Sequence, residues 1–192
     1  MRDKAPTFAT MGASSHAENP RNENDFYATE PRAVELLLGV ETFSDHIFEP
    51  CAGAGHISKV LEENGFCVES RDLVDRGFCD GGFDFLASTE KFDGDIISNP
   101  PYKQALQFCK KAIETITDGH KVAMFLKLLF LEGKERKKFF ALYPPRTVYV
   151  SSSRLNTARN GEFGKYPSSS VCYAWFVWEK GYNGDTVIRW IN

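Results

Sequence analysis

A mostly parallel α/β sheet with helices on both faces is the fold this sequence predicts, and three observations predict it. Short β-branched apolar runs alternate with segments whose apolar residues recur at three- and four-residue spacing. A glycine turn, Gly53-Ala54-Gly55, follows the first interior run and opens a helical segment. The last runs succeed one another without helices between them, so an antiparallel C-terminal edge is expected.

In chain order, residues 1 to 24 are polar and poor in aliphatics, and read as a flexible tail with too little apolar surface to offset ordering entropy. From Pro31, the spacing of Val34, Leu37 and Leu38 predicts a helix. His46 to Glu49 then reads as a strand. Ile57, Val60 and Leu61 mark a helix stopped by Asn64-Gly65, and Cys67 to Ser70 a second strand. A glycine-rich link at 77 to 82 leads to a strand ending at Asn99. Ala105, Phe108, Cys109, Ala112, Ile113 and Ile116 give the next helix. Val122 to Phe130 is one continuous apolar run, and Glu132 to Leu142 a helix closed by Pro144-Pro145. Thr147 to Ser151, Val171 to Trp178 and Thr186 to Ile191 read as strands. Residues 153 to 169 form a long polar loop of the kind that is functional or disordered.

At 192 residues the chain suits one domain, placed at 25 to 192. Its 42% hydrophobic content is that of a globular protein, yet no apolar run approaches the roughly 18 residues that span a bilayer. No signal-peptide pattern opens it. Five scattered cysteines, at 51, 67, 79, 109 and 172, fit a reducing cytoplasm. A formal charge of −3 argues against nonspecific coating of nucleic acid but leaves room for a local basic face among Lys134, Arg136, Lys137, Lys138, Arg146, Arg154, Arg159 and Lys165. His16, His46, His56 and His120 lack metal-ligand spacing, so no metal site is expected.

The glycine turn lets backbone approach a ligand and aims helix N-terminal amides at it. It lacks the third glycine of a dinucleotide fingerprint and the Gly-Lys-Ser/Thr of a P-loop, so a ligand without a pyrophosphate is preferred. Asp72, about twenty residues on, reads either as an acceptor for ribose hydroxyls or as a loop cap. Asp84 beside Phe85 offers an acceptor next to an aromatic face, as an adenine requires, although Phe85 alone reads as core. Asn99-Pro100-Pro101-Tyr102 stands at a strand end, where two prolines stiffen the chain and remove two backbone donors. The Asn99 side-chain oxygen and the Pro100 carbonyl can then accept from an aromatic NH2 group, and Tyr102 can stack on the same ring.

These residues carry a family resemblance. Glu49-Pro50-Cys51-Ala52-Gly53-Ala54-Gly55, Asp84-Phe85-Leu86 and Asn99-Pro100-Pro101-Tyr102 resemble the ordered motifs of S-adenosylmethionine-dependent N6-adenine DNA methyltransferases. DFYATEP, 25 to 31, resembles the segment that precedes the glycine loop in such enzymes. LKLLFLEGKERKKFF and YAWFVWEKG resemble the compact methyltransferases of bacteriophages and prophages.

The resemblance implies a Rossmann-like class I methyltransferase fold with a seven-stranded sheet, acting in a bacterial host cytoplasm. It places Tyr27, Thr29, Glu49, Pro50, Gly53 and Gly55 on the methionine side of the cofactor, Asp72 on its ribose, and Asp84 with Phe85 on its adenine. Asn99, Pro100, Pro101 and Tyr102 would hold the target base. It implies DNA as partner, with an RNA adenine, a cytosine amine, a protein glutamine amide or a non-catalytic nucleic-acid clamp as alternatives. The chain has no room for a separate target-recognition domain, and loop 153 to 169 is expected to substitute. Cys51 sits inside the glycine loop and reads as structural rather than as the nucleophile of carbon methylation.

Overall fold

The computed structural model describes residues 26–159, 161, 163 and 171–192; the predicted tail and most of the 160–170 segment, with Lys165, lie outside the described residues. The chain runs β1 (Tyr27–Thr29), α1 (Pro31–Leu38), β2 (His46–Glu49), α2 (His56–Glu63), β3 (Cys67–Ser70), β4 (Asp95–Ser98), α3 (Ala105–Thr115), β5 (Lys121–Lys127), α4 (Lys134–Leu142), β6 (Thr147–Ser151), β7 (Thr157–Arg159), β8 (Tyr173–Glu179) and β9 (Val187–Ile191). Seven strands form one sheet in the order β3-β2-β4-β5-β8-β6-β9. The pairings β3·β2, β2·β4, β4·β5 and β6·β9 are parallel. β8 runs antiparallel to both β5 and β6, so the antiparallel pairings fall in the C-terminal half, as the helix-free succession of strands predicts.

Neighbouring residues on each strand serve opposite faces. Phe48, Ile96, Val122, Met124, Leu126, Phe176 and Trp178 pack with α3 and with Phe139 of α4. Ile47, Ile97, Ala123, Phe125, Trp175 and Val177 pack with α1 and α2. Because helices cover both faces, β5 reads as an unbroken apolar run rather than an alternation. The run outlasts the strand: Leu128–Leu131 winds into a single 3-10 turn. The Trp175 indole on β8 is fully buried and donates to the Ala33 carbonyl at 2.7 Å, which fixes α1 on the sheet.

β1 and β7 form a separate antiparallel ribbon, with Tyr27 opposite Arg159 and Thr29 opposite Thr157. The sequence reading missed it, because each strand is three residues long and β7 lies inside the segment taken as loop. Glu30 extends the pairing: its backbone N–H donates to the Asn156 carbonyl, and its carboxylate accepts from the Asn156 N–H at 2.9 Å.

β2, β4, β5 and β6 share one direction, so their N-terminal ends gather at one end of the sheet and their C-terminal ends at the other. At the N-terminal end, Asp95 accepts from the Ser44 and Lys121 backbone amides, each at 2.6 Å. Buried Glu41 accepts there from Lys121 Nζ at 2.9 Å, Arg146 Nη2 at 2.5 Å and the Tyr149 hydroxyl at 2.8 Å. Arg146 also lies 3.3 Å from Glu179. Arg146 is therefore spent on an ion network at the far end and is not part of a basic face beside the ligand site.

Candidate active site

The C-terminal ends of β2, β4 and β5 open into a cleft of about 720 Å³. Every residue expected in the site lines this cleft except Gly55: Tyr27, Thr29, Glu49, Pro50, Gly53, Asp72, Asp84, Phe85, Asn99, Pro100, Pro101 and Tyr102. Five separate stretches of sequence thus converge on one cavity.

The glycine turn follows β2 directly. Gly53 has φ +58, a left-handed backbone that favours glycine, and a Cβ there would come within 3.1 Å of the Phe26 ring. Gly55, with φ +78, has a different role, since a Cβ there would lie 2.5 Å from the Phe78 ring. Its missing side chain makes room for Phe78 from the glycine-rich link, not for a ligand. Nothing in the sequence pairs positions 55 and 78.

Glu49 is buried. It accepts from the Ser58 backbone amide at 2.9 Å and from the Ser58 hydroxyl, so it caps the first turn of α2 from outside the helix. Burial pushes its pKa up to about 8, against the Ser58 hydrogen bonds and with help from the charges of Asp72 and Glu62. The folded state therefore keeps a proton that the unfolded chain has released between pH 4.5 and about 8. Stability should fall across that window as pH rises, by up to about 1.4 kcal/mol per pH unit, and Glu49→Gln should flatten the fall. Denaturant titrations at pH 5, 6.5 and 8 test this; an unchanged slope in the variant would refute it.

Of the two roles its sequence position left open, Asp72 fills that of loop cap, and it does so on the cleft wall. One carboxylate oxygen accepts from the Gly53 amide at 2.8 Å and the other from Val74 at 2.9 Å, so it ties the glycine loop to the end of β3 while lining the cleft. Asp84 accepts from the Leu86 and Ala87 amides through one oxygen. Phe85 is buried between Phe48 and Phe108, with ring centroids 5.8 and 5.5 Å away, and reaches the cleft as part of the core. Cys51 also lines the cleft. Burial, then the charges of Asp72 and Glu49, raise its pKa well above the ordinary thiol range, so it is held as the protonated thiol.

Asn99 follows β4. Its Nδ2 donates to the Tyr27 carbonyl at 2.7 Å, which fixes the orientation of the amide. Its Oδ1 is buried and has no hydrogen-bond partner among the described residues. Thr29 Oγ1, on the same ribbon, is likewise buried without a partner. A buried polar atom without a partner costs about 1–3 kcal/mol, a cost that a polar group reaching either atom would offset.

Tyr102 is less available than its motif implies. Its hydroxyl donates to Tyr173 at 3.1 Å, which also accepts from Thr157 at 3.1 Å, and its ring lies 5.3 Å from that of Tyr27. Lys127 Nζ stands 4.5 Å from its centroid. Burial, then Tyr173, raise the Tyr102 pKa, so it stays a neutral phenol. Phe26, His56, Arg76, Lys103, Gln104 and Lys127 also line the cleft. The sequence carried one signal for Lys127, its place as the lone charge inside the apolar run from Val122 to Phe130.

Solved structures share this architecture. A class I S-adenosylmethionine-dependent methyltransferase assignment from Listeria monocytogenes superposes with a TM-score of 0.53 at 11% identity, over 82% of this chain and 62% of that one. An assigned RNA methyltransferase from Pyrococcus horikoshii gives 0.56 at 17% identity, over 85% and 91%. A modification subunit of an assigned type I restriction enzyme from Vibrio vulnificus gives 0.58 at 11%, over 86% and 46%. No family model matches the sequence, and no curated protein matches it. The chain spans less than two thirds of the Listeria and Vibrio proteins. At these identities the likeness establishes the fold alone, the Rossmann-like α/β architecture that these structures share.

Proposed function

We propose that this protein transfers a methyl group from S-adenosylmethionine to the exocyclic amine of adenine in DNA. The observation that carries the reading is Asn99 Oδ1, a buried acceptor without a partner whose amide is locked in orientation by the Tyr27 carbonyl. An NH2 group supplies the donor that this atom lacks, and the Pro100 carbonyl, beside it in the rigid Pro-Pro segment, is a second acceptor. Accepting from both amine hydrogens orients the nitrogen and leaves its electron density for the electrophile.

The cleft fits the cofactor in size and donor set: about 720 Å³, an unpartnered Thr29 hydroxyl, the Gly53 backbone and the carboxylates of Asp72 and Asp84. Tyr27, Thr29, Glu49, Pro50 and Gly53 would hold the methionine end, Asp72 the ribose, and Asp84 with Phe85 the adenine. When bound, S-adenosylmethionine supplies a methyl group on a positively charged sulfur, which an amine nitrogen can accept directly. Cys51, protonated and embedded in the loop, is unsuited to the thiolate attack that carbon methylation needs. Asp72→Ala should weaken S-adenosylmethionine binding by at least about tenfold, because a charged acceptor and the tie to Gly53 are lost together. Calorimetry reads the effect, and unchanged affinity would remove Asp72 from the cofactor site.

An RNA adenine, a cytosine amine and a glutamine amide present the same NH2 chemistry, and the solved neighbours include assignments to RNA methylation and to restriction-modification. The deciding experiment supplies S-adenosylmethionine with a labelled methyl group and unmethylated DNA, then identifies the labelled nucleoside by chromatography and mass spectrometry. Label in methyladenosine is the expected result. Label in methylcytosine changes the base, and label only in RNA or a protein glutamine moves the substrate.

A further inference from the structure

We propose that the Leu128–Leu131 turn is the wedge that holds duplex DNA open at the cleft, with Leu129 entering the base stack in place of the extruded nucleotide. The proposal rests on the DNA reading above and adds to it the residue that makes a paired base available.

The turn is firmly anchored yet presents leucines to solvent. Phe130 is 7% exposed and packs edge-on against Phe140 and Phe176, with centroids 5.8 and 5.5 Å away. The Leu128 amide donates to the Cys172 carbonyl at 2.8 Å, and the Glu132 amide to the Leu129 carbonyl at 3.0 Å. Arg136 donates back to the Glu132 carbonyl, and its guanidinium lies 5.4 Å from the Phe130 ring centroid. Held in this way, Leu129 is 66% exposed and Leu131 41%. Leaving leucine in water forfeits hydrophobic stabilisation, and here the anchoring prevents the turn from folding inward to recover it.

Position and charge identify the occupant. Lys127 lines the cleft with its ammonium 4.5 Å from the Tyr102 ring centroid, and two residues of chain, at most about 7 Å, separate it from Leu129. Lys103 also lines the cleft. Exposed Lys134, Lys137 and Lys138, with Arg136, follow on α4, against only Glu132 and Glu135, the latter paired with Lys138 at 2.8 Å. Cations flanking a small apolar projection match phosphates flanking a gap in a base stack. Two leucines are too small a surface for a stable protein interface. An extruded base leaves an apolar, stacked gap of about one ring, which a leucine side chain can fill.

The test uses the full chain and a duplex oligonucleotide whose adenine accepts label, alongside the same duplex with that adenine opposite an abasic site, where it is already unpaired. Leu129→Ala should lower the single-turnover methylation rate on the paired duplex by at least about tenfold and on the abasic-opposed duplex by less than about twofold, since only the first must be opened. Fluorescence of 2-aminopurine at the target position should rise with the wild-type protein on the paired duplex and stay low with the variant. Leu129→Met, which keeps an apolar side chain of similar size, should behave as wild type. Equal loss on both duplexes, or none on either, overturns the wedge while leaving DNA methylation standing. Absence of transfer to either duplex by the wild-type protein fails the DNA reading, and the wedge with it.

Discussion

Asn99→Ala is expected to reduce methyl transfer by at least about a hundredfold while changing S-adenosylmethionine affinity by less than about threefold, because the lost group acts on the accepting amine and not on the cofactor. The amide has two separable duties: Nδ2 holds the Tyr27 carbonyl, and Oδ1 is the buried acceptor that the proposed mechanism assigns to the substrate amine. Alanine removes both. Asn99→Asp keeps the acceptors but sets a carboxylate against the Tyr27 carbonyl, so it should also lose activity, through displacement of β1. Losing Oδ1, which has no internal partner, costs the fold little, whereas losing the Nδ2 bond leaves the Tyr27 carbonyl unpaired at about 1–3 kcal/mol, so the thermal midpoint should fall by a few degrees. Single-turnover assays and calorimetry on the same preparations separate these effects. Unchanged turnover in Asn99→Ala would eliminate the proposed mechanism.

The largest stability effect should come from the opposite end of the sheet. Glu41→Ala leaves Lys121 and Arg146 without their shared buried carboxylate and should destabilise the protein by about 3 kcal/mol. The pH dependence has a definite sign. Burial alone raises the Glu41 pKa, but the hydrogen bonds from Lys121 and Tyr149 and the charges of Lys121 and Arg146 outweigh it and leave the pKa below the ordinary value. A carboxylate depressed in the folded state stabilises fully above its unfolded pKa, near 4.5, and loses that contribution as pH falls through the folded value. The gap between wild type and Glu41→Ala in denaturant titrations should therefore be widest near pH 7 and shrink below pH 4.5. A gap independent of pH would mean that packing, not charge, is what Glu41 contributes.

Much of this was legible along the chain because it is encoded locally. The helix of Val34, Leu37 and Leu38 and the helix from Ala105 to Thr115 carry their apolar stripes in the spacing that the sheet buries. The glycine-loop and Asn99 motifs were legible because each follows the end of a β-strand, and parallel strands deliver their C-terminal ends to one place. What was not legible depends on pairs distant in sequence. The β1·β7 ribbon joins residues about 130 positions apart, through two segments too short to show a period. Gly55 resembled a ligand glycine until Phe78 was found against it. Arg146 resembled part of a basic face, but its partners are Glu41 and Glu179.

The residue types of the site and the alternation of strand and helix were fixed by local chemistry: glycine where φ is positive, proline where donors must be absent, apolar residues at the period of the element they build. How much hydrogen-bonding capacity each side chain has left was decided only by the tertiary structure. Asp72 and Asp84 use part of theirs on loop amides, Glu49 caps α2, and Tyr102 is tied to Tyr173, whereas Asn99 Oδ1 and Thr29 Oγ1 have no partner among the described residues. The reason is that a hydrogen bond is a property of a pair in space. A sequence shows which groups can donate or accept, and only the fold shows which have already done so.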